Sequence, residues 1–99
     1  MTDPVVARSA SNSRYEVTVD GQLAGFVDYV ERGDAIRFTH TETLDEFRGK
    51  GLGEVVAGFA IADAVARDLR IVPVCPYIAR YLRRHQVAGA VVDWPEDVE

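Results

Sequence analysis

The chain carries a single cysteine, Cys75. No internal disulfide can form, and a reducing compartment is the simple reading. Positive charge is also scarce: 11 Lys and Arg stand against 16 Asp and Glu, for a formal net charge of −5. That balance argues against a general nucleic-acid binder, which needs a basic face to displace counterions. It leaves room for a local basic pocket around one anionic ligand. No apolar run approaches the ~20 residues of a membrane helix, and the N-terminal stretch has no signal-peptide apolar core. The expected setting is cytoplasmic, with no membrane or nucleic-acid partner and no metal. A chain of 99 residues makes one domain with one modest core.

Glycine is concentrated in one place. Arg48-Gly49-Lys50-Gly51-Leu52-Gly53 puts three glycines into five residues. The spacing is neither the dinucleotide fingerprint nor the P-loop. The run lies between a stretch that reads as strand, Ala35 to Glu42, and one that reads as helix, Gly53 to Arg67. Glycines there cost chain entropy unless the backbone needs φ > 0 or something must approach it closely. Such a loop aims several N–H groups from the positive end of a helix dipole, which makes an anion site. Arg48 and Lys50 add charge. The bland alternative is a tight connection without a ligand.

Met1 to Ser13 has no sustained period and is expected to be a flexible tail. Arg14 to Val19 alternates as a strand, and Asp20-Gly21 is a favoured hairpin turn. Gln22 to Glu31 returns, with Gly25 marking a bulge. After Arg32-Gly33-Asp34 comes the third strand, with Ile36, Phe38, His40 and Glu42 on one face if no bulge intervenes. From Leu52 the apolar period becomes helical: Val55, Val56, Phe59, Ala62, Val65, Ala66 and Leu69 follow. Ile71 to Cys75 reads as a strand parallel to the third. Pro76 opens a helix to His85. Val87 to Val92 is a short strand or an irregular run, and Asp93 to Glu99 an acidic tail that packs Trp94. The single domain is expected over residues 14–92.

The order β-β-β-α-β-α defines an α+β fold of the three-layer α/β type, an antiparallel meander followed by β-α-β-α. Arg48, Gly51 and Gly53 spell Arg-x-x-Gly-x-Gly, with His40-Thr41-Glu42 before and Cys75-Pro76-Tyr77 after. With these residues, Arg14 to Gln86 resembles the GNAT superfamily of acetyl-CoA-dependent N-acetyltransferases. Within it the likeness is to a small YjdJ-like subgroup. The resemblance implies a V-shaped splay between the two parallel strands that takes the pantetheine arm. It also implies acetyl-CoA as cofactor and an amine as acceptor. Two departures stand out. The usual first strand and two early helices have no room in Met1 to Ser13, and the last two strands are missing or reduced.

By resemblance, Arg48, Gly49, Lys50, Gly51, Leu52 and Gly53 hold the pyrophosphate. Thr41, Leu44, Cys75 and Tyr81 line the rest of the cofactor path. Glu42 or His40 is the base, against a solvated glutamate and a half-buried histidine. Cys75 has three readings: an acyl-accepting nucleophile near His40, a pocket wall, or an inert core thiol. Tyr77 is the acid for the departing thiolate, with Tyr81 as the other candidate, or both are core. Arg80, Arg83, Arg84 and His85 are solvated charge or contacts to the phosphorylated adenosine. Two functions follow: an N-acetyltransferase for an unidentified amine, or a non-catalytic acyl-CoA-binding module or subunit lacking the acceptor half. A monomer or weak dimer is expected.

Overall fold

The computed structural model describes residues 3–95. Its centre is a five-stranded mixed sheet in sequence order, β1 Val5–Ser9, β2 Arg14–Val19, β3 Gln22–Arg32, β4 Ala35–Thr43 and β5 Arg70–Pro73. The first four strands run antiparallel, and β4 and β5 run parallel. Helix α1, Leu52–Ala66, crosses between β4 and β5, and α2, Pro76–Arg84, follows. This is the expected α+β order.

Local chemistry explains most of it. Asp20 and Gly21 both adopt positive φ, +53° and +78°, the type I′ geometry that matches strand twist. Tyr15, Val17, Val27, Tyr29, Ile36, Phe38 and Ile71 form the buried face of the sheet. Ala57, Ala60 and Ala64 of α1 are fully buried with Val56 and Ile61. These small residues allow the helix to lie close to the strands. Pro76 occupies the first turn of α2, where its missing N–H costs nothing.

One expectation at the ends needs correction. Val5–Ser9, expected in a flexible tail, pairs with β2 from Val5↔Thr18 to Ser9↔Arg14. The first strand therefore exists, although the early helices are replaced by a single 3-10 turn, Ala10–Asn12. An edge strand needs no strong apolar alternation, and here Arg8 contributes through Asp63, 3.7 Å away. At the other end Val92 makes a lone parallel bridge to Ile71, and Asp93 pairs with Arg70. Trp94 lies beneath the Arg83 guanidinium, 4.6 Å from ring centroid to Cζ. The rest of the expected acidic tail, residues 96–99, lies outside the described residues.

Two bulges interrupt the meander. Ala24 is the extra residue between β3 and β2, beside Gly25 as expected. The second is decisive for the site. Asp28 faces His40, yet the next residue, Tyr29, faces Phe38, so Thr39 is inserted in β4. A single extra residue reverses which side of the sheet every later side chain meets. Ile36 and Phe38 are buried, whereas His40 and Glu42 are exposed on the opposite face. Thr41 and Thr43 take over the inner face. The shared face expected for Ile36, Phe38, His40 and Glu42 does not exist.

Candidate functional site

The β4–β5 ladder ends at Phe38↔Pro73. The Cys75 N–H then donates to the Phe38 carbonyl at 2.8 Å, and the strands part. Pro73 has no N–H to extend the pairing. Among the described residues, no backbone bond from β5 reaches Thr39 to Thr43. That leaves an open strand edge.

Beyond this edge, the 3-10 turn Asp45–Phe47 leads into the glycine loop. Gly49 and Gly51 sit at φ +81° and +75°, conformations that disfavour any side chain. Gly51 is the N-cap of α1 and brings no side-chain cap. The Val55 N–H makes the first helical bond, to Gly51 at 3.2 Å. The first-turn N–H groups therefore point outward from the positive end of a 15-residue helix. Arg48 is not free charge: its Nε lies 3.1 Å from Asp45 Oδ1, in a highly exposed pair.

Gly53 has another reason to be glycine. A Cβ there would stand 2.7 Å from Tyr77 Oη and 3.4 Å from Thr43 Oγ1. At Gly58 it would meet Tyr81 Oη at 2.8 Å. The two tyrosines of α2 thus rest on two glycines of α1. Burial, with Glu54 second, pushes the Tyr77 phenol above its ordinary value and keeps it protonated.

A cleft of about 500 Å³ opens along the free edge, lined by His40, Thr41, Glu42, Thr43, Arg48 and Tyr77. It gathers five residues expected at the site from three separate segments: His40, Thr41, Glu42, Arg48 and Tyr77. On the outer face, His40 Nε2 is 3.1 Å from Glu42 Oε1. The His40 ring leans on Phe26, centroids 6.1 Å apart, and Arg14 covers Phe26 while bonding Glu16 at 2.8 Å. On the inner face the Cys75 thiol donates to Thr41 Oγ1 at 3.4 Å.

Cys75 therefore meets Thr41 and not His40, because the Thr39 bulge turns His40 away. It is only 5% exposed and is absent from the cleft lining. Leu44 serves the fold through its N–H bond to Ala24, 2.8 Å. Tyr81 stacks on His85 outside the cleft. Thr43 and the supporting Phe26 and Arg14 were not foreseen; their roles depend on strand register. Among the described residues, no group of three His, Cys, Asp or Glu side chains is placed to hold a metal. No described helix is long and apolar enough to cross a membrane.

A meander, a crossing helix opened by a glycine loop, and a splayed parallel pair together define the N-acetyltransferase fold. The chain belongs to the GCN5-related N-acetyl-transferase family, whose model matches residues 14–91. Among solved structures, a GCN5-like putative N-acetyltransferase from Staphylococcus aureus aligns with all of this chain and 97% of its own. Its identity is 17% and its TM-score 0.70. A ribosomal-protein-alanine N-acetyltransferase from Brucella melitensis biovar Abortus 2308 shares 22% identity, covering 82% of this chain and 62% of its own, TM-score 0.58. Ard1 from Thermoplasma volcanium shares 19% over 58% of this chain and 39% of its own, TM-score 0.52. At these identities the likeness is one of fold. The chain spans less than two thirds of the Brucella and Thermoplasma proteins. No curated protein matches the sequence.

Proposed function

We propose that the chain binds acetyl-CoA and moves its acetyl group to an amine. The observation that carries this reading is the open edge of β4. It offers unpaired backbone groups from Thr39 to Thr43, with the uncapped start of α1 near one end and the His40–Glu42 pair on its outer face. These residues suit the cofactor. First-turn N–H groups of α1, with Lys50, would hold the pyrophosphate, and an amide-bearing arm would pair along the edge as an added strand.

Acetyl-CoA supplies an activated thioester; the chain supplies proton handling and placement. With the Nε2–H of His40 donating to Glu42, the neutral ring presents Nδ1 as acceptor. In that arrangement Glu42 orients the imidazole and His40 takes the proton from the incoming ammonium. The protonated Tyr77 phenol, across the cleft, can return a proton to a departing thiolate.

Calorimetric titration with acetyl-CoA, beside an acetyl-transfer assay on a panel of amines, tests this. Glu42→Gln and His40→Ala should each bind acetyl-CoA as the wild type does and lose about 100-fold or more in turnover. Absence of binding removes the reading altogether. Binding without turnover on any amine leaves the acyl-CoA-binding module.

A further inference from the structure

On the outer face of the sheet, the His40–Glu42 pair belongs to a grid of side chains spread over three strands. Register sets Arg14 of β2 opposite Asp28 of β3, and Asp28 opposite His40 of β4. In the adjoining row Glu16 stands opposite Phe26, and Phe26 opposite Glu42. Each flanking strand is closed on itself. Arg14 Nε donates to Glu16 Oε2 at 2.8 Å, and its guanidinium lies over Phe26, 4.5 Å from the ring centroid. His40 Nε2 lies 3.1 Å from Glu42 Oε1. The middle strand is left with the Phe26 ring and the Asp28 carboxylate.

That carboxylate has no partner for its charge. Among the described residues it makes neither a hydrogen bond nor an ion pair. Thr39, the inserted residue of β4, donates its hydroxyl to the Asp28 backbone carbonyl at 3.4 Å. The bulge thus holds the Asp28 backbone beside His40 and leaves the side chain unspent. Arg37, opposite Val30 in the row beyond, does not pair with it. Cβ atoms of cross-strand partners stand about 4.5–5.5 Å apart, so the Asp28 carboxylate borders the space over the His40 ring. His40 and Glu42, with side chains 56% and 47% exposed, are reached from this face. Arg14 offsets Glu16 there, while Asp28 and Glu42 flank the imidazole with uncompensated negative charge. The Arg14 guanidinium, held between a carboxylate and an aromatic ring, already shows the kind of group this face accommodates.

We propose that Asp28 selects the acceptor: the amine acetylated by this chain carries a second positive charge, as a short aliphatic diamine does, and that charge pairs with Asp28 while the reacting nitrogen meets His40. The inference rests on the acetyl-transfer reading and names its substrate class. Asp28 takes no part in the transfer itself. The N–C bond forms at the amine, the C–S bond of the thioester breaks, His40 takes the amine proton and Tyr77 returns one to the thiolate. An amine of equal length with a single charge meets the same groups but leaves Asp28 unpaired.

The test compares initial rates on diaminobutane and on butylamine at saturating acetyl-CoA, for the wild type, Asp28→Asn and Asp28→Glu. The wild type should favour the diamine by about tenfold in kcat/KM, chiefly through KM, as one charge-assisted contact allows. Asp28→Asn should bring the two amines within about threefold, through a loss on the diamine alone. Asp28→Glu keeps the charge and should keep most of the preference. Added salt should shrink the preference of the wild type and leave Asp28→Asn unaltered. Equal use of both amines by the wild type, or a preference that survives in Asp28→Asn, overturns the role of Asp28 and leaves the acetyl-transfer reading standing. Equal losses on both amines in Asp28→Asn also overturn it, because they mark a structural role. A wild type that acetylates other amines but neither of these overturns the diamine class. Transfer to no amine at all removes the reading beneath it.

Discussion

Tyr81 Oη occupies the space that a Cβ on Gly58 would need, 2.8 Å away, while Tyr81 Cζ is 3.6 Å from the same point. The hydroxyl alone therefore forbids alanine. Gly58→Ala should destabilise the wild type by about 1–2 kcal/mol through overpacking. In a Tyr81→Phe background it should stabilise by about 0.5–1 kcal/mol, the helix preference for alanine. At Gly53 the same rescue should fail, because Tyr77 Cζ itself lies 3.1 Å from the added carbon. Urea unfolding of the two double-mutant cycles reads both signs.

Gly51 presents the opposite case. A Cβ there meets nothing within 4 Å, yet φ is +75°. Gly51→Ala should cost about 1–2 kcal/mol from backbone conformation alone, and Gly51→Asn less, because asparagine tolerates the left-handed region. Acetyl-CoA affinity, followed by calorimetry, should fall in the same order.

Tyr15 is fully buried and donates to Asp63 Oδ2 at 2.6 Å. Burial, then the Asp63 hydrogen bond, raises its phenol well above the ordinary tyrosine value. The unfolded chain releases that proton near pH ~10, while the folded chain keeps it. This stabilisation is complete below pH ~10 and declines as pH rises further. Unfolding midpoints from pH 8 to 11 should fall more steeply for the wild type than for Tyr15→Phe. At neutral pH the variant should be about 1–2 kcal/mol less stable, from the lost bond to a carboxylate.

The Cys75 thiol is buried, bonded to Thr41 and outside the cleft wall. Cys75→Ala should keep acetyl transfer within a factor of about three, under 1 kcal/mol in barrier. Intact mass after incubation with acetyl-CoA should show no added acetyl group. An acetyl adduct at Cys75 would reinstate the covalent route.

The sequence disclosed the features whose chemistry is local. Asp20-Gly21 announces its hairpin, Pro76 its helix start, and the glycine run its two positive-φ residues. What stayed hidden depends on register or on distant partners. Thr39-His40-Thr41-Glu42 is polar throughout, so nothing in it signals which residue is inserted. Without that bulge Cys75 would stand beside His40; with it, Cys75 meets Thr41. Val5-Val6-Ala7 hid β1, because an edge strand carries little apolar contrast. Gly53 reads as part of the anion loop, but its packing under Tyr77 joins two helices. No local pattern reveals that contact.

The extra residue at Thr39 also divides β4 by purpose. Ile36 and Phe38, before it, answer to the core and tolerate little change in volume. His40 and Glu42, after it, face away from that packing. In the proposed acetyltransferase, substitutions on the outer half would alter proton affinity or acceptor preference with little stress on the core. A change in core volume at Phe38 would reach that chemistry only through the backbone. One inserted residue would then let a single strand be tuned for reaction and for stability almost independently.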